Sequence, residues 1–373
     1  GRSSSPLNQR AIELLKSLGF AGREHSTRCE GATMLTDDTS GVKYVLATSG
    51  RSVPYTETAP GETDTAIKVY KNSDALGIAY LADRDVIGFN MDEYSPFIAQ
   101  NKLASMLSGN KGSAVFKSID DVEFDSENIR IGSTTDAHYS YKKTDEDSDA
   151  WIEYTITAQA DGPVYMYLPT KYERETQLYV NDIYRGNYFL YENHSIEYLG
   201  TFEKGTEFRV KLKLMDKAVY FTNAWFYYID TAALDRFDST MQAMNEGTTL
   251  TRTGSTLELE VNAGKDCALF TTIPLEEGWT ITVDGEPVNI KGCLSDSLMC
   301  IPVSAGKHKI VLDFQPAGLS SGLMLTASGM FCLAVMLLVS DWLSRRDKRH
   351  IQTLVKTEEQ SESTMGSEDS AEK

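Results

Sequence analysis

Basic residues are the scarce component of this chain: 36 Lys and Arg stand against 54 Asp and Glu, a formal net charge of -18 over 373 residues. Nucleic acid is thereby excluded as a partner, because binding phosphate takes clustered Lys and Arg. Cysteine is scarce too. Cys332 lies inside an apolar run, and Cys29, Cys267, Cys293 and Cys300 are scattered outside it, which is no disulfide framework. A bridge from Cys267 to Cys293 or Cys300 is the pairing to look for in an oxidising compartment. There is no CxxC pair with a nearby His to mark a metal site, so neither metal nor cofactor is expected. His308 sits between Lys307 and Lys309 in an alternating segment, while His25, His138, His194 and His350 have no Ser, Cys or acid at motif spacing. All five read as solvated or strand-face residues.

Long apolar runs are also rare. A single one of membrane length lies between Asp313 and Asp341, followed by Arg345, Arg346, Lys348 and Arg349. A spanning helix needs ~20 apolar residues, and residues 319–343 supply them, so the lipid bilayer is an expected partner. Lys and Arg are retained on the cytoplasmic side; the cluster therefore predicts a cytoplasmic tail over 344–373, its acidic, Ser-rich end disordered. Everything before Asp313 is then extracytoplasmic. Residues 2–8 are polar and do not resemble a signal peptide, so the sequence reads as a C-terminal fragment whose translocation starts upstream. Gly318, Gly322, Thr326 and Gly329 recur at spacings of four, four and three. Such a small-residue face lets another helix approach closely, and a missing N-terminal transmembrane bundle is its expected partner.

The rest divides by periodicity. Residues 1–112 read as a mixed α/β extracytoplasmic region. Ser5 and Pro6 cap a helix with Leu7, Ala11, Leu14, Leu15 and Leu18 on its apolar face, ended by Gly19. Strands at 42–47 and 66–70 flank a loop carrying Pro54, Pro60 and Gly61. A second helix starts at Ser95 and Pro96, presents Ile98, Leu103, Met106 and Leu107, and stops at Gly109. Apolar alternation then predicts a Tyr-rich β-sandwich over 113–231, a linking helix over 232–247 and a shorter β-sandwich over 248–316. The fold class is an α+β N-terminal region followed by two tandem β-sandwich or jelly-roll-like modules and one transmembrane helix over 317–343. Three landmarks repeat. Leu168-Pro169 answers to Ile273-Pro274, Val180 to Val283, and the turn at Lys204 to that at Ala305, at separations of 105, 103 and 101 residues, which predicts a duplication.

Several phrases in order resemble one family. They are Gly41-Val42-Lys43-Tyr44-Val45-Leu46; Val69-Tyr70-Lys71-Asn72 with Ala75-Leu76; and Ser95-Pro96-Phe97 with Gln100-Asn101. Further on come Gly278-Trp279-Thr280-Ile281-Thr282-Val283-Asp284-Gly285, then Pro302-Val303 with Ala305-Gly306-Lys307-His308, and Phe314-Gln315-Pro316-Ala317-Gly318 leading into the last helix. The chain is similar to the C-terminal part of the bacterial YfhO family of polytopic membrane proteins. Asn72-Ser73-Asp74 lacks the family's usual Pro, and 293–297 fills a variable loop. The resemblance implies a multi-span glycosyltransferase using lipid-linked sugar and acting on cell-envelope polymers such as lipoteichoic acid. It also implies that the catalytic carboxylate lies on early membrane loops outside this sequence, so no catalytic residue is expected here.

Local candidates for chemistry are few. Asp83-Arg84-Asp85 has the form of a metal-holding DxD triplet, but so do Asp145-Glu146-Asp147 and Asp147-Ser148-Asp149 in so acidic a chain. Asn193-His194-Ser195 has the form of a glycosylation sequon and reads as accidental in a bacterial chain. Trp279, delivered to a strand by the turn before it, reads as core. Tyrosine is concentrated: 14 of 19 lie between Tyr139 and Tyr228. Strand packing explains most of them, yet aromatic rings also stack on sugars. Within 182–193, Tyr184, Tyr188 and Tyr191 are the candidate glycan-binding residues. Two readings follow: an exterior region serving a glycosyltransferase core that this chain lacks, or a membrane-anchored glycan-binding or adhesion module without catalytic activity.

Overall fold

The computed structural model describes residues 9–23, 26–48, 53–58, 67–91, 94–112, 114–134, 139–170, 174–190 and 195–368. Two compact units form, Gly1–Asp313 and Phe314–Lys373.

The first unit begins with helix α1 (Gln9–Ser17), which buries Ile12 and Leu14 and stops at Gly19 in the left-handed region. The Ser5 and Pro6 cap lies outside the described residues. The short pair β1 (Gly22–Arg23) and β2 (Ser26–Thr27) leads to α2 (Met34–Thr39), opened by a reciprocal Thr33–Thr36 capping box. Strands β3 (Tyr44–Thr48) and β4 (Ile67–Lys71) form a separate ribbon, followed by β5 (Ala79–Ala82). Helix α3 (Pro96–Ser108) has Pro at its first position and Gly109 at φ 72° past its end, as their rigidity and freedom suit. Its buried face is Phe97, Ala99, Leu103, Ala104 and Leu107; Leu103 and Leu107 lie where expected, whereas Met106 is half-buried and Ile98 exposed.

The first sandwich uses β6 (Phe116–Ser118), β7 (Val122–Glu127), β8 (Ile129–Ser133), β9 (Tyr139–Lys143), β10 (Trp151–Thr157) and β11 (Gly162–Tyr167). It continues through β12 (Thr176–Val180), β13 (Ile183–Tyr188), β14 (Glu197–Phe202), β15 (Glu207–Leu214), β16 (Ala218–Phe221) and β17 (Trp225–Ile229). After α4 (Thr231–Met244) come β18 (Thr249–Thr253), β19 (Thr256–Ala263), β20 (Cys267–Pro274), β21 (Trp279–Val283) and β22 (Glu286–Pro287). The last strands are β23 (Lys291–Cys293), β24 (Leu298–Val303) and β25 (Gly306–Phe314).

The two sandwiches share a strand plan. The outer sheets run β13-β12-β15-β10-β7 and β22-β21-β25-β19-β18, and the inner sheets contain β14-β11-β17 and β24-β20-β5. Matched hydrogen bonds go with the matched strands. Asn181 and Asp284, both at positive φ in two-residue hairpin turns, each donate N–H to the neighbouring strand (Arg209 O 2.9 Å, Lys309 O 2.8 Å). Each also accepts from that same residue's N–H through its side chain, at 2.8 and 2.9 Å. Likewise Asp161 accepts from Lys204 N at 2.7 Å and Asp266 from Ala305 N at 3.0 Å. The position of β17 is taken in the second sandwich by β5, which lies upstream of both modules and pairs with β20 from Ala79↔Thr271 to Ala82↔Ala268.

Both inner sheets are buried on both faces. Val164 and Met166 of β11 enter the core of the first sandwich, whereas Tyr165 and Tyr167 face a core shared with α1 to α4. In β5, Leu81 enters the second sandwich and Tyr80 and Ala82 the shared core. The helices thus form a central layer between two sandwiches. Helix α4 belongs to that layer, burying Leu234, Phe237 and Met241. A side-chain amide closes one edge of each inner sheet: Asn101 bonds Phe116 N and O of β6, both at 2.8 Å, and Asn245 bonds Leu81 N and O of β5 at 2.7 and 2.9 Å. Edge groups that would otherwise be buried without partners are thereby satisfied.

The same alternation decides the Cys267 pairing that the sequence left open. Cys267 points into the second sandwich core, whereas Cys293 and Cys300 point into the shared core on the other face of the sheet. All five cysteines are free. In the second unit, α5 (Leu319–Glu368) contains the apolar span but continues well beyond 343. Good helix formers follow, and the i,i+4 pair Asp341–Arg345 at 2.7 Å carries the helix across the basic cluster. The acidic, Ser-rich end expected to be disordered from Thr357 is therefore helical as far as Glu368.

Candidate functional site

The hairpin β12–β13 presents chemistry on two sides. A bulge at Leu178/Tyr179 and Gly186 at φ 141° let it leave regular pairing, so neighbouring residues of β13 serve different surfaces. Tyr184 is 52% exposed on the outer sheet face, and its hydroxyl donates to Asn187 Oδ1 at 2.8 Å. Its ring lies 5.5 Å from that of Tyr179, whose hydroxyl donates to Gln177 Oε1 at 2.8 Å. Farther along this face, Lys211 lies 4.7 Å above the Trp151 ring and pairs with Glu153 at 3.2 Å, and Arg209 pairs with Asp182 at 2.7 Å. The face carries fixed aromatic planes with donors and acceptors already oriented.

On the other side a cavity of about 480 Å³ opens between the edges of the two sheets. Tyr70 from β4, Ile183 and Arg185 from β13, and Tyr198 and Thr201 from β14 line it. The Tyr198 and Thr201 hydroxyls share a hydrogen bond of 2.8 Å. Burial pushes the Tyr198 phenol up from its ordinary range, with the nearby Arg185 guanidinium opposing.

Of the three tyrosines singled out by the sequence, Tyr184 and Tyr188 do not share a surface. Tyr184 is presented to solvent. Tyr188 is only 2% exposed, donates its hydroxyl to Ser195 O at 2.7 Å and accepts from Leu168 N at 3.3 Å, so it cannot offer a ring to a ligand. It pairs with Thr176 on the core face, where strand alternation puts it. Tyr191, like Asn193 of the sequon, lies outside the described residues. Sequence reasoning missed Tyr70, Arg185 and Tyr198, which come from segments far apart in the chain.

The DxD triplet is structural. Asp83 caps the turn Arg84–Val86, accepts from Asp85 N at 3.1 Å and pairs with Lys265; Asp85 pairs with Lys111 at 2.7 Å. Among the described residues no group of three His, Cys, Asp or Glu side chains could hold a metal. His308 anchors the second sandwich's hairpin, its Nδ1 bonding Asp284 Oδ2 at 2.7 Å. Trp279 packs, partly buried, against the second core. Among the described residues a Cβ at Gly318, Gly322 or Gly329 would meet open space, and Thr326 donates back to Gly322 O at 2.8 Å.

A second constellation, absent from the sequence reading, is a buried group of acids. Asp37 and Asp38, at the end of α2, are 7% and 2% exposed, and Asp238 of α4 is 7% exposed. Tyr55 donates to Asp37 Oδ2 and Asn72 Nδ2 to Asp38 Oδ1, both at 2.7 Å, while Gln242 reaches Asp74 Oδ1 at 3.3 Å. Among the described residues Asp238 Oδ1 is buried without a hydrogen-bond partner. Burial lifts Asp37 to about 6, against the Tyr55 hydrogen bond. It lifts Asp38 to about 7, against the Asn72 hydrogen bond and helped by Asp74 and Asp37. Asp238 rises to about 8 by burial and by repulsion from Asp38, Asp74 and Asp235.

A family profile described as "Bacterial membrane protein YfhO" matches residues 3–326. The chain belongs to the YfhO family. No curated protein matches it. Among solved structures, the YfhO chain is similar to a family 35 carbohydrate binding module from Clostridium thermocellum (9% identity, 31% of this chain and 97% of that one, TM-score 0.23). It is also similar to a β-glucuronidase from Ruminococcus gnavus in complex with D-glucuronic acid (11% identity, 54% and 43%, TM-score 0.21). A third is a conserved protein of unknown function from Pseudomonas aeruginosa PAO1 (12% identity, 52% and 93%, TM-score 0.14). At scores this low the likenesses carry no statement about function.

Proposed function

We propose that the sandwich-bearing unit of this YfhO protein is extracytoplasmic and holds a cell-envelope glycan, of teichoic acid type, for glycosyl transfer by a membrane core outside this sequence. The observation that carries the reading is the β12–β13 hairpin, with Tyr184 and Tyr179 on its open face and Arg185 in the cavity behind it. Aromatic planes bind the apolar faces of sugar rings, and a guanidinium and hydroxyls fix their polar edges. The basic cluster after the apolar helix supports a cytoplasmic tail, and the small residues from Gly318 to Gly329 support packing against further spans.

Titration of the detergent-solubilised chain with purified teichoic acid and with wall polysaccharide tests this. Tyr184→Ala and Arg185→Ala should each weaken binding about tenfold, the ~1.4 kcal/mol scale of one well-placed contact. Absence of wild-type binding to both polymers, or equal affinity in both variants, rules the glycan site out.

A further inference from the structure

One face of the β3–β4 ribbon is exposed among the described residues. Its register pairs Tyr44 with Lys71, Leu46 with Val69 and Thr48 with Ile67, so these six side chains share a face. Tyr44, Leu46, Ile67 and Val69 are 56%, 67%, 55% and 39% exposed, whereas Ala47 on the reverse face is buried and Tyr70 lines the cavity. A two-stranded ribbon has marginal stability alone. A contiguous apolar face on it marks a surface that is covered in use.

We propose that this face is a membrane-interface patch that rests on the headgroup and upper acyl region of a bilayer containing anionic phospholipid. Charge selects the occupant. Neither strand contains an acid, and Lys71 on the face and Lys43 beside Tyr44 give the ribbon a positive end in a chain of net charge -18. Lysine stems lie along apolar surface with the ammonium in the headgroups, and tyrosine favours the same depth. A second copy would set like charges against each other. Six residues on a ribbon also fall short of the ~1,200 Å² a stable dimer buries. The inference rests on membership of a membrane-protein family and not on the glycan reading.

The test uses the full chain reconstituted in vesicles, with Leu46→Cys carrying an environment-sensitive fluorophore in a Cys29→Ser, Cys332→Ser background. The three remaining cysteines are at most 2% exposed and escape labelling. With about a third of the phosphatidylcholine replaced by phosphatidylglycerol, emission should shift to the blue, and nitroxide-labelled lipid should quench it several-fold more than at Glu123→Cys on β7. Lys43→Glu with Lys71→Glu should lower that interfacial population about tenfold, with no change in neutral vesicles. Water-like, unquenched emission in both vesicle types overturns the proposal, as does a blue shift that follows the protein-to-lipid ratio with self-quenching, the mark of a second copy. Equal quenching in neutral and anionic vesicles, unmoved by the lysine reversals, overturns the anionic-lipid assignment.

Discussion

Leu81→Ala is expected to destabilise the second sandwich by about 2–5 kcal/mol, the range for emptying a large apolar side chain from a packed core. Leu81 is fully buried, pairs with Leu269 and joins the core formed by Leu259, Ile301 and Leu312. Asn245→Ala should act on the same strand without touching that core. It strips partners from Leu81 N and O, at about 1–3 kcal/mol for each group left buried and unbonded. Denaturant unfolding followed by Trp279 fluorescence would measure both, since Trp279 packs on the second core. If 79–82 were only a connecting segment, neither substitution would move that transition. The two effects should also be non-additive, because both residues act through one strand.

Raising the pH from about 5 to about 8.5 should lower the melting temperature, through the acids on α2 and α4. Their folded values of about 6, 7 and 8 for Asp37, Asp38 and Asp238 lie above the ordinary 3.8. Between the unfolded and folded values the native state therefore binds more protons than the unfolded chain. Stability is highest near the ordinary carboxylate value and falls as pH rises through the folded ones, by at most ~1.4 kcal/mol per pH unit for each titrating group. Asp238→Asn should flatten the upper part of this profile and stabilise the protein at about pH 8.5 by on the order of 1–3 kcal/mol, by removing a buried unpaired charge. Thermal denaturation across pH in wild type and variant checks both. A melting temperature that rises with pH, or an Asp238→Asn profile parallel to wild type, would show that these acids reach solvent or a cation.

These two results separate what was readable from what was not. The strand plan could be anticipated from Val180 and Val283 or the turns before β15 and β25, because alternation and turn chemistry are local and the separations nearly constant. The apolar helix was legible for the same reason, in that its composition meets the length a bilayer demands. The hairpin turns Asn181-Asp182 and Asp284-Gly285 have positive φ at both central residues, which Asn, Asp and Gly tolerate. Failures came where partners lie far apart in sequence. Periodicity could not show that 79–82 completes a sheet with 267–274, or that 232–247, read as a linking helix, would be buried between two sheets. Nor could composition separate Asp38 and Asp238 from the other 52 acids, since burial is a property of what surrounds a residue.

The sequence by itself determined the family, the two sandwiches and the long apolar helix, for which side-chain type and spacing suffice. Tertiary structure decided which tyrosines face solvent and which cysteines share a core, and it brought Arg185 to Tyr70 and buried three carboxylates from α2 and α4. Each of these depends on which side of a doubly covered sheet, or which end of a helix, is turned toward a neighbour, and the energy that fixes that choice is packing between distant segments.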